Sequence, residues 1–259
     1  MKKIIQLLIC SGAIICMAVT CKKQVAGNVI LPPPVDSSLV NLTHLNYLYV
    51  PVTFADGINA AGVYIYADAP DYHLTPASGE GYTCVDDASR AALVYLRTTK
   101  FSTDTATQSK VFKLINFLLE MQSPNGYFYN FLSTGNSINK FGQTSINNPE
   151  WWSWRALQTL TEAEPILKMM NASLAAKVDV AVNNLVVALK NDLVNLPKTT
   201  KVVNGITVPQ WLPAGSGTDQ SALLILSLIP YCTTTNDAIM TAYVKKLADG
   251  IVLMQHGDA

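Results

Sequence analysis

The sequence is poor in charge and in histidine, and each shortage excludes a class of protein. Only 14% of the 259 residues are charged, and 18 basic side chains balance 18 acidic ones. A nucleic-acid binder would need a basic excess to neutralise phosphates. The 49% hydrophobic content at zero net charge also argues against disorder. No His or Cys pair has the spacing of a zinc site, so we expect a folded domain with no metal, no cofactor and no nucleic-acid partner.

The first twenty residues are typical of an export signal. Lys2 and Lys3 precede an uncharged apolar run, residues 4–20, that is short for a membrane-spanning helix. The run ends in small residues before Cys21, which resembles a bacterial lipoprotein signal and implies that Cys21 becomes lipidated. Ordinary cleavage nearby and a retained anchor are the alternatives. We expect a signal at 1–20, a tether at 21–44, and an exported protein in the bacterial cell envelope that meets the membrane only through its lipid.

Residues 45–78 are predicted to form a short β-rich segment. Residues 47–52 and 61–66 are rich in β-branched and aromatic side chains. Asp56-Gly57 between them favours a tight turn, so the segment predicts a β-hairpin.

From residue 79 onward the sequence repeats with a period of about 65 residues. RAAL at residues 90–93 recurs as RAL at 155–157 and more loosely as SAL at 221–223. Each period holds two helical segments, predicted at 86–97 and 108–121, 150–168 and 174–193, and 219–229 and 237–254. The leading helices are the more apolar and the trailing ones carry lysines. This predicts stacked αα-hairpins with an inner and an outer layer, as a solenoid or a closed toroid.

Two strings resemble a known family. GEGYTCVDDASRA at residues 79–91 and MQSPNGYF at 121–128 resemble six-hairpin glycosidase-like proteins of the (α/α)6 toroid class, and the first string is the specific one. The resemblance implies an all-α fold of repeated αα-hairpins over residues 79–259, after the short β-hairpin. That class has six hairpins and the sequence supplies three, so we expect a C-terminally incomplete domain. A three-hairpin protein with an apolar flank is the alternative.

The resemblance also implies a carbohydrate substrate, bound where the loops entering the inner helices converge. Glycan sites combine carboxylates with aromatic faces. The candidate catalytic residues are Glu80, Asp86 and Asp87. The candidate substrate-binding residues are Tyr82, Arg90, Glu150, Trp151, Trp152, Arg155, Trp211 and Asp219.

Several candidates also have a structural interpretation. Asp86 is a natural N-cap and Asp87 a first-turn acid, and of the two we choose Asp87 as the acid that faces substrate. Asp219 is another natural cap. Arg90 and Arg155 occupy equivalent repeat positions in apolar helices, so we expect them to pair with an acid such as Asp86 or Asp87.

Other aromatic and polar candidates are expected away from the site. Two or three of the indoles are expected to fill the core. Tyr127, Tyr129 and Asn130 are placed at the opposite end of the hairpins, unless their loop folds back. Cys84 precedes an inner helix and Cys232 follows one, so we expect no disulfide between them.

The leading interpretation is a glycoside hydrolase. One carboxylic acid would protonate the leaving oxygen, and a second carboxylate would activate water or attack the anomeric carbon. The candidates for this second carboxylate are Glu150, Asp219 or an acid of the absent hairpins. A polysaccharide lyase on the same scaffold and a non-catalytic glycan-binding lipoprotein are the alternatives.

Overall fold

Seven helices and four two-stranded sheets make up the part of the chain that the computed structural model describes, residues 40–215 and 217–255. About 51% of the described residues are helical. The helices are α1 (Thr43–Leu48), α2 (Val85–Leu96), α3 (Thr105–Glu120), α4 (Trp151–Met170), α5 (Ala172–Asp192), α6 (Thr218–Thr235) and α7 (Ala238–Met254). The strands are β1 (Tyr49–Thr53), β2 (Asn59–Val63), β3 (Tyr66–Asp68), β4 (His73–Thr75), β5 (Thr83–Cys84), β6 (Phe131–Leu132), β7 (Thr200–Val203) and β8 (Ile206–Pro209). The predicted signal, Cys21 and most of the tether lie outside the described residues.

Helices α2 to α7 form three consecutive αα-hairpins, as the repeat predicts. Helix α2 packs against α3, α4 against α5, and α6 against α7. Helix α4 also packs against α2 and α6, so α2, α4 and α6 form the inner series. The predicted end of the third inner helix at residue 229 is wrong, because α6 runs through Pro230 to Thr235. Pro230 has no N–H, so the carbonyl of Leu226, four residues earlier, loses its helical donor. Leu226 is 55% exposed, and water can bind this carbonyl instead.

Buried hydroxyl groups join the inner helices. Thr159 Oγ1 on α4 donates to the Ser89 carbonyl on α2 at 2.9 Å. Ser227 Oγ on α6 donates to the Trp154 carbonyl on α4 at 3.0 Å, and Thr161 Oγ1 donates back to the Ser227 carbonyl at 3.0 Å. The same kind of contact therefore recurs from one hairpin to the next, about one sequence period apart.

The expectation of an all-α fold with one β-hairpin is too narrow. Strands β1 and β2 pair antiparallel around the Asp56-Gly57 turn, and β2 packs on α2 and α3. A short helix, α1, replaces the start of the first predicted strand, and three further strand pairs lie in the connections. One of them, β7–β8, turns at Asn204-Gly205, a dipeptide typical of β-hairpin turns. The sequence analysis does not predict this hairpin. These short pairs satisfy backbone groups in the loops between helices.

Helix α6 is covered on one side only. It packs against α4 and α7, and its remaining stripe of Ala222, Leu226 and Ile229 is exposed, with Ile229 49% accessible. The flank of the hairpin series on this side is therefore apolar.

Among the described residues one helix, α5, is long and apolar enough to cross a membrane by length and composition. Half of its apolar window is buried within the protein, and core helices of water-soluble proteins pass the same test. This is weak evidence for a membrane span.

Candidate functional site

The first turn of α2 places the two predicted acids side by side. Cys84 ends strand β5 in an extended conformation and is the N-cap of the helix, with its Sγ accepting from the Asp87 N–H at 3.4 Å. The Cys84 thiol also donates to Asp87 Oδ2 at 3.3 Å. The interpretation of Asp86 as the N-cap is therefore wrong. Strand β5 ends at Cys84 and α2 begins at the next residue, so Cys84 occupies the N-cap position. Asp86 and Asp87 are both first-turn acids, and each side chain is 28% exposed.

Two arginines hold these carboxylates, which confirms the predicted pairing. Arg90 Nη2 contacts Asp87 Oδ1 and lies 3.3 Å from Asp86 Oδ2. Arg155 Nε lies 2.5 Å from Asp86 Oδ1 and joins α4 to α2. The geometry of this contact is not that of a hydrogen bond, and neither atom has another hydrogen-bond partner among the described residues. The contact is therefore an ion pair.

Asp86 differs from an ordinary surface aspartate in its pKa. Burial raises the pKa above 3.8, while the charges of Arg90 and Arg155 act in the opposite direction without cancelling the effect of burial. A carboxyl group that keeps its proton to higher pH has the property that a general acid needs.

The loop after α3 lies against the start of α2, a placement that the sequence analysis allowed only as the alternative for Asn130. The Asn130 carbonyl accepts from the Val85 N–H at 2.8 Å, and Asn130 Oδ1 accepts from the Asp86 N–H at 3.2 Å. Placing Asn130 at the opposite end of the hairpin was wrong, because α3 runs antiparallel to α2 and ends beside its start. The signal that could have found Asn130 is this reversal of direction within an αα-hairpin.

Glu80 is linked to the same region through the loop that follows. Its carboxylate accepts from the Thr144 hydroxyl, and its carbonyl accepts from Asn139 Nδ2 at 3.0 Å. The Thr144 carbonyl in turn accepts from Asn130 Nδ2 at 3.2 Å. Glu80 also lines a cavity of about 250 Å³ together with Pro76, Gly79 and Ser133. Thr144 and Asn130 thus connect the Glu80 carboxylate to the backbone N–H of Asp86.

Tyr82 belongs to the wall of this region. Its side chain is buried, its hydroxyl donates to Asn136 Oδ1 at 2.7 Å, and its ring centroid lies 5.3 Å from that of Tyr64. Burial raises the pKa of Tyr82 to about 12.

The starts of α4 and α6 are joined by an amide bridge. Glu150 is the N-cap residue of α4 but makes no side-chain cap hydrogen bond, and its Oε2 accepts from Gln220 Nε2 at 3.1 Å. Gln220 Oε1 accepts from the buried indole N–H of Trp154 at 2.7 Å. Asp219 lies in the first turn of α6, whose N-cap is Gly217. Its Oδ1 accepts from the Gln220 N–H at 2.8 Å.

The ion pair and the amide bridge bring the three inner-helix starts into one connected group. We call this group the inner-helix edge; it comprises Asp86, Asp87 and Arg90 from α2, Glu150 and Arg155 from α4, and Asp219 from α6.

The four tryptophans divide between core and surface. Trp154 is fully buried, and Trp152 is 7% exposed with its Nε1 donating to the Phe128 carbonyl at 2.7 Å. Trp151, the first residue of α4, is half-buried against the core. Trp211 packs against the outer helix α7, donates to the Lys246 carbonyl at 2.9 Å, and lines a cavity of about 710 Å³. Trp151, which follows Glu150 in the chain, is therefore the tryptophan next to the inner-helix edge whose ring is partly exposed.

No metal site is evident within residues 40–215 and 217–255, where no group of three or more His, Cys, Asp or Glu side chains could hold an ion. Cys84 is a buried free thiol and Cys232 a partly buried one. Burial raises the pKa of the Cys84 thiol well above its ordinary value, so the thiol stays protonated and is a poor nucleophile. Its role at the site is to cap α2.

Comparison with known proteins gives little. No family model matches the sequence, and no curated protein matches it. One similar solved structure is the crystal structure of a metagenome-derived glycoside hydrolase family 9 endoglucanase, with a TM-score of 0.44 and 14% sequence identity. The match covers 78% of this chain and 43% of that chain, so this chain spans less than half the length of that protein. A likeness this weak carries no argument about activity.

Proposed function

We propose that this chain is a carbohydrate-active protein and that its inner-helix edge is the site of a glycoside hydrolase. The observation that supports this is the pairing of two carboxylates of unlike environment in the first turn of α2. Asp86 has a raised pKa, and the Asp87 carboxylate is ion-paired with Arg90. Two neighbouring carboxyl groups in different environments can divide the acid role from the base role.

In this proposal Asp86 acts as the general acid. The protonated Asp86 carboxyl would donate its proton to the glycosidic oxygen as the bond to the anomeric carbon breaks. A second carboxylate, from Asp87 or Glu150, would activate water or attack the anomeric carbon. Both lie on the inner-helix edge with part of their surface accessible.

The remaining candidates would bind and position the sugar. Trp151 offers a partly exposed ring at the start of α4, which suits stacking on a sugar face. Glu80 lies next to a small cavity with its carboxylate held by Thr144, so it is the third candidate acid. Trp152, Tyr82 and Trp211 would act through packing, because each has its polar atom bonded within the protein.

The direct test is product analysis on purified protein. Release of reducing ends would be measured on a panel of plant and microbial polysaccharides, with Asp86→Asn, Asp87→Asn and Glu80→Gln variants. We expect Asp86→Asn and Asp87→Asn to lower turnover by roughly 100-fold or more, the usual contribution of acid–base catalysis. Asp179→Asn is the matched control, because Asp179 lies on the outer helix α5.

Each result decides among the alternatives. Full turnover in both aspartate variants would remove them from the catalytic role. An unsaturated product that absorbs ultraviolet light would identify a lyase instead. Binding without turnover would leave a glycan-binding protein, and no binding of any glycan would overturn the carbohydrate proposal itself.

We also propose that the three hairpins belong to an (α/α) toroid domain of which further hairpins are not in this sequence. The exposed apolar stripe on α6 supports this, since the inner helix α4 is packed by an inner helix on both sides and α6 on one. Folding of a longer gene product with additional 65-residue periods would test it, through protection of Leu226 and Ile229 from hydrogen exchange.

Export with lipidation at Cys21 remains a proposal from the sequence. The basic start, the apolar run and Cys21 support it. Cell fractionation with a Cys21→Ala variant tests it: the wild type should partition with membranes and carry a lipid mass, and the variant should carry none.

A further inference from the structure

The two arginines of the inner-helix edge are already matched by carboxylates. Arg90 uses Nη2 for both Asp86 and Asp87, and Arg155 directs Nε to Asp86. The Arg155 side chain is only 27% exposed, so it has little freedom to leave its partner. The Arg90 side chain is 51% exposed, so a ligand anion could reach it only beside the Asp86 and Asp87 carboxylates that it already contacts.

The charge of the edge as a whole is negative. Its members supply four carboxylates, from Asp86, Asp87, Glu150 and Asp219, against two guanidinium groups, which leaves −2 when all are ionised. Glu80, connected through Thr144 and Asn130, adds a further carboxylate. The edge stays negative even when Asp86 holds a proton. Like charges brought together in a partly desolvated site oppose binding.

We infer that this site takes neutral glycans and rejects uronic-acid glycans. The inference rests on the proposed function and deepens it by naming the substrate class. A uronate carboxylate would lie beside carboxylates that outnumber the cations of the edge, and both guanidinium groups of the edge already pair with Asp86 or Asp87. A neutral sugar presents hydroxyl groups instead, which the carboxylates can accept hydrogen bonds from.

The same charge balance bears on the choice between hydrolysis and elimination. A lyase acts on uronic-acid chains and must bind the substrate carboxylate. In the inner-helix edge the two guanidinium groups, of Arg90 and Arg155, already form ion pairs with Asp86 and Asp87. The carboxyl groups of the edge outnumber its guanidinium groups. Hydrolysis of a neutral sugar needs carboxyl groups to protonate the leaving oxygen and to activate water.

The test compares matched-length oligosaccharides of glucose, mannose and xylose with oligomers of galacturonic and mannuronic acid. Binding to the purified protein would be measured by calorimetry at low and at high salt. We expect a neutral series to bind and the uronates to bind at least about tenfold more weakly, with the gap narrowing as salt screens the repulsion.

Variants identify the charges responsible. Asp87→Asn and Glu150→Gln each remove one carboxylate from the edge, so each should strengthen uronate binding relative to the wild type. Glu162→Gln is the matched control, because Glu162 pairs with Arg97 at the C-terminal end of α2, away from the edge. It should leave both ligand classes unchanged.

Two results would overturn the inference, and they differ. Uronates that bind as tightly as neutral sugars, with loss of that binding in Arg90→Gln, would show that the arginines serve substrate and would leave the carbohydrate proposal standing. Failure of every oligosaccharide to bind would overturn the proposed function together with the inference.

Discussion

Arg155 on α4 lies with its Nε 2.5 Å from Oδ1 of Asp86 on α2. This contact ties the first two hairpins together at the end where the candidate acids lie. It also places a positive charge beside the Asp86 carboxyl, whose pKa is raised by burial. The stability of the hairpin contact and the protonation of Asp86 are therefore coupled.

The raised pKa of Asp86 predicts a pH-dependent contribution to stability. The folded protein binds this proton more tightly than the unfolded chain, whose value is near 3.8. The contribution is therefore fully present below the unfolded pKa and is lost as pH rises through the folded pKa. We expect the unfolding free energy of the wild type, relative to Asp86→Asn, to fall as pH rises above about 3.8. Urea unfolding at a series of pH values measures this, and a difference that rises with pH would contradict it.

Loss of Arg155 should raise the pKa of Asp86 further. The Arg155 charge favours the ionised carboxylate, so Arg155→Gln removes one of the two arginines that oppose the effect of burial on the pKa of Asp86. Carboxyl carbon NMR of Asp86 would follow the titration directly. Arg97→Gln is the control, because Arg97 pairs with Glu162 at the other end of α2, and it should leave the titration where it was. Equal shifts in both variants would show a general rather than a local effect.

The Gln220 bridge predicts non-additive mutations. Gln220→Leu leaves the buried Trp154 N–H without its acceptor, at a cost of about 1–3 kcal/mol. Trp154→Phe leaves Gln220 Oε1 without its donor and also removes packing. The double variant removes both partners, so it should lose less stability than the sum of the single variants. Chemical unfolding of the four proteins measures the coupling, and strict additivity would show that the hydrogen bond contributes nothing.

Two glycines of nearly equal backbone angle predict different costs. Gly126 has φ +93° and Gly135 has φ +94°, so alanine is strained at both by about 1–2 kcal/mol. At Gly126 an added Cβ would lie 2.5 Å from the Asn184 carbonyl oxygen on α5, whereas at Gly135 nothing lies within 4 Å. Gly126→Ala should therefore destabilise the protein more, by at least about 1 kcal/mol beyond Gly135→Ala. Equal shifts in melting temperature would contradict the clash.

The helices and much of the edge could be predicted because their signals are local. Periodic apolar residues located α2 to α7, and the spacing of Asp86, Asp87 and Arg90 within one helical turn predicted their pairing. The Asn204-Gly205 turn was equally local and was passed over. Asn130 and Gln220 could not be located in this way, because their partners lie 44 and 70 residues away in the chain.

The period, the alternation of inner and outer helices, and the acids in the first helical turns could all be predicted from the sequence alone. These follow from residue spacing along a regular helix, which needs no knowledge of the rest of the molecule. The packing of the hairpins was needed to show that Cys84 caps α2, which of the indoles are buried, and that the acid paired with Arg155 is Asp86. The physical reason is that burial, charge balance and hydrogen-bond partners are set by which hairpins pack together, and one-dimensional spacing does not contain that information.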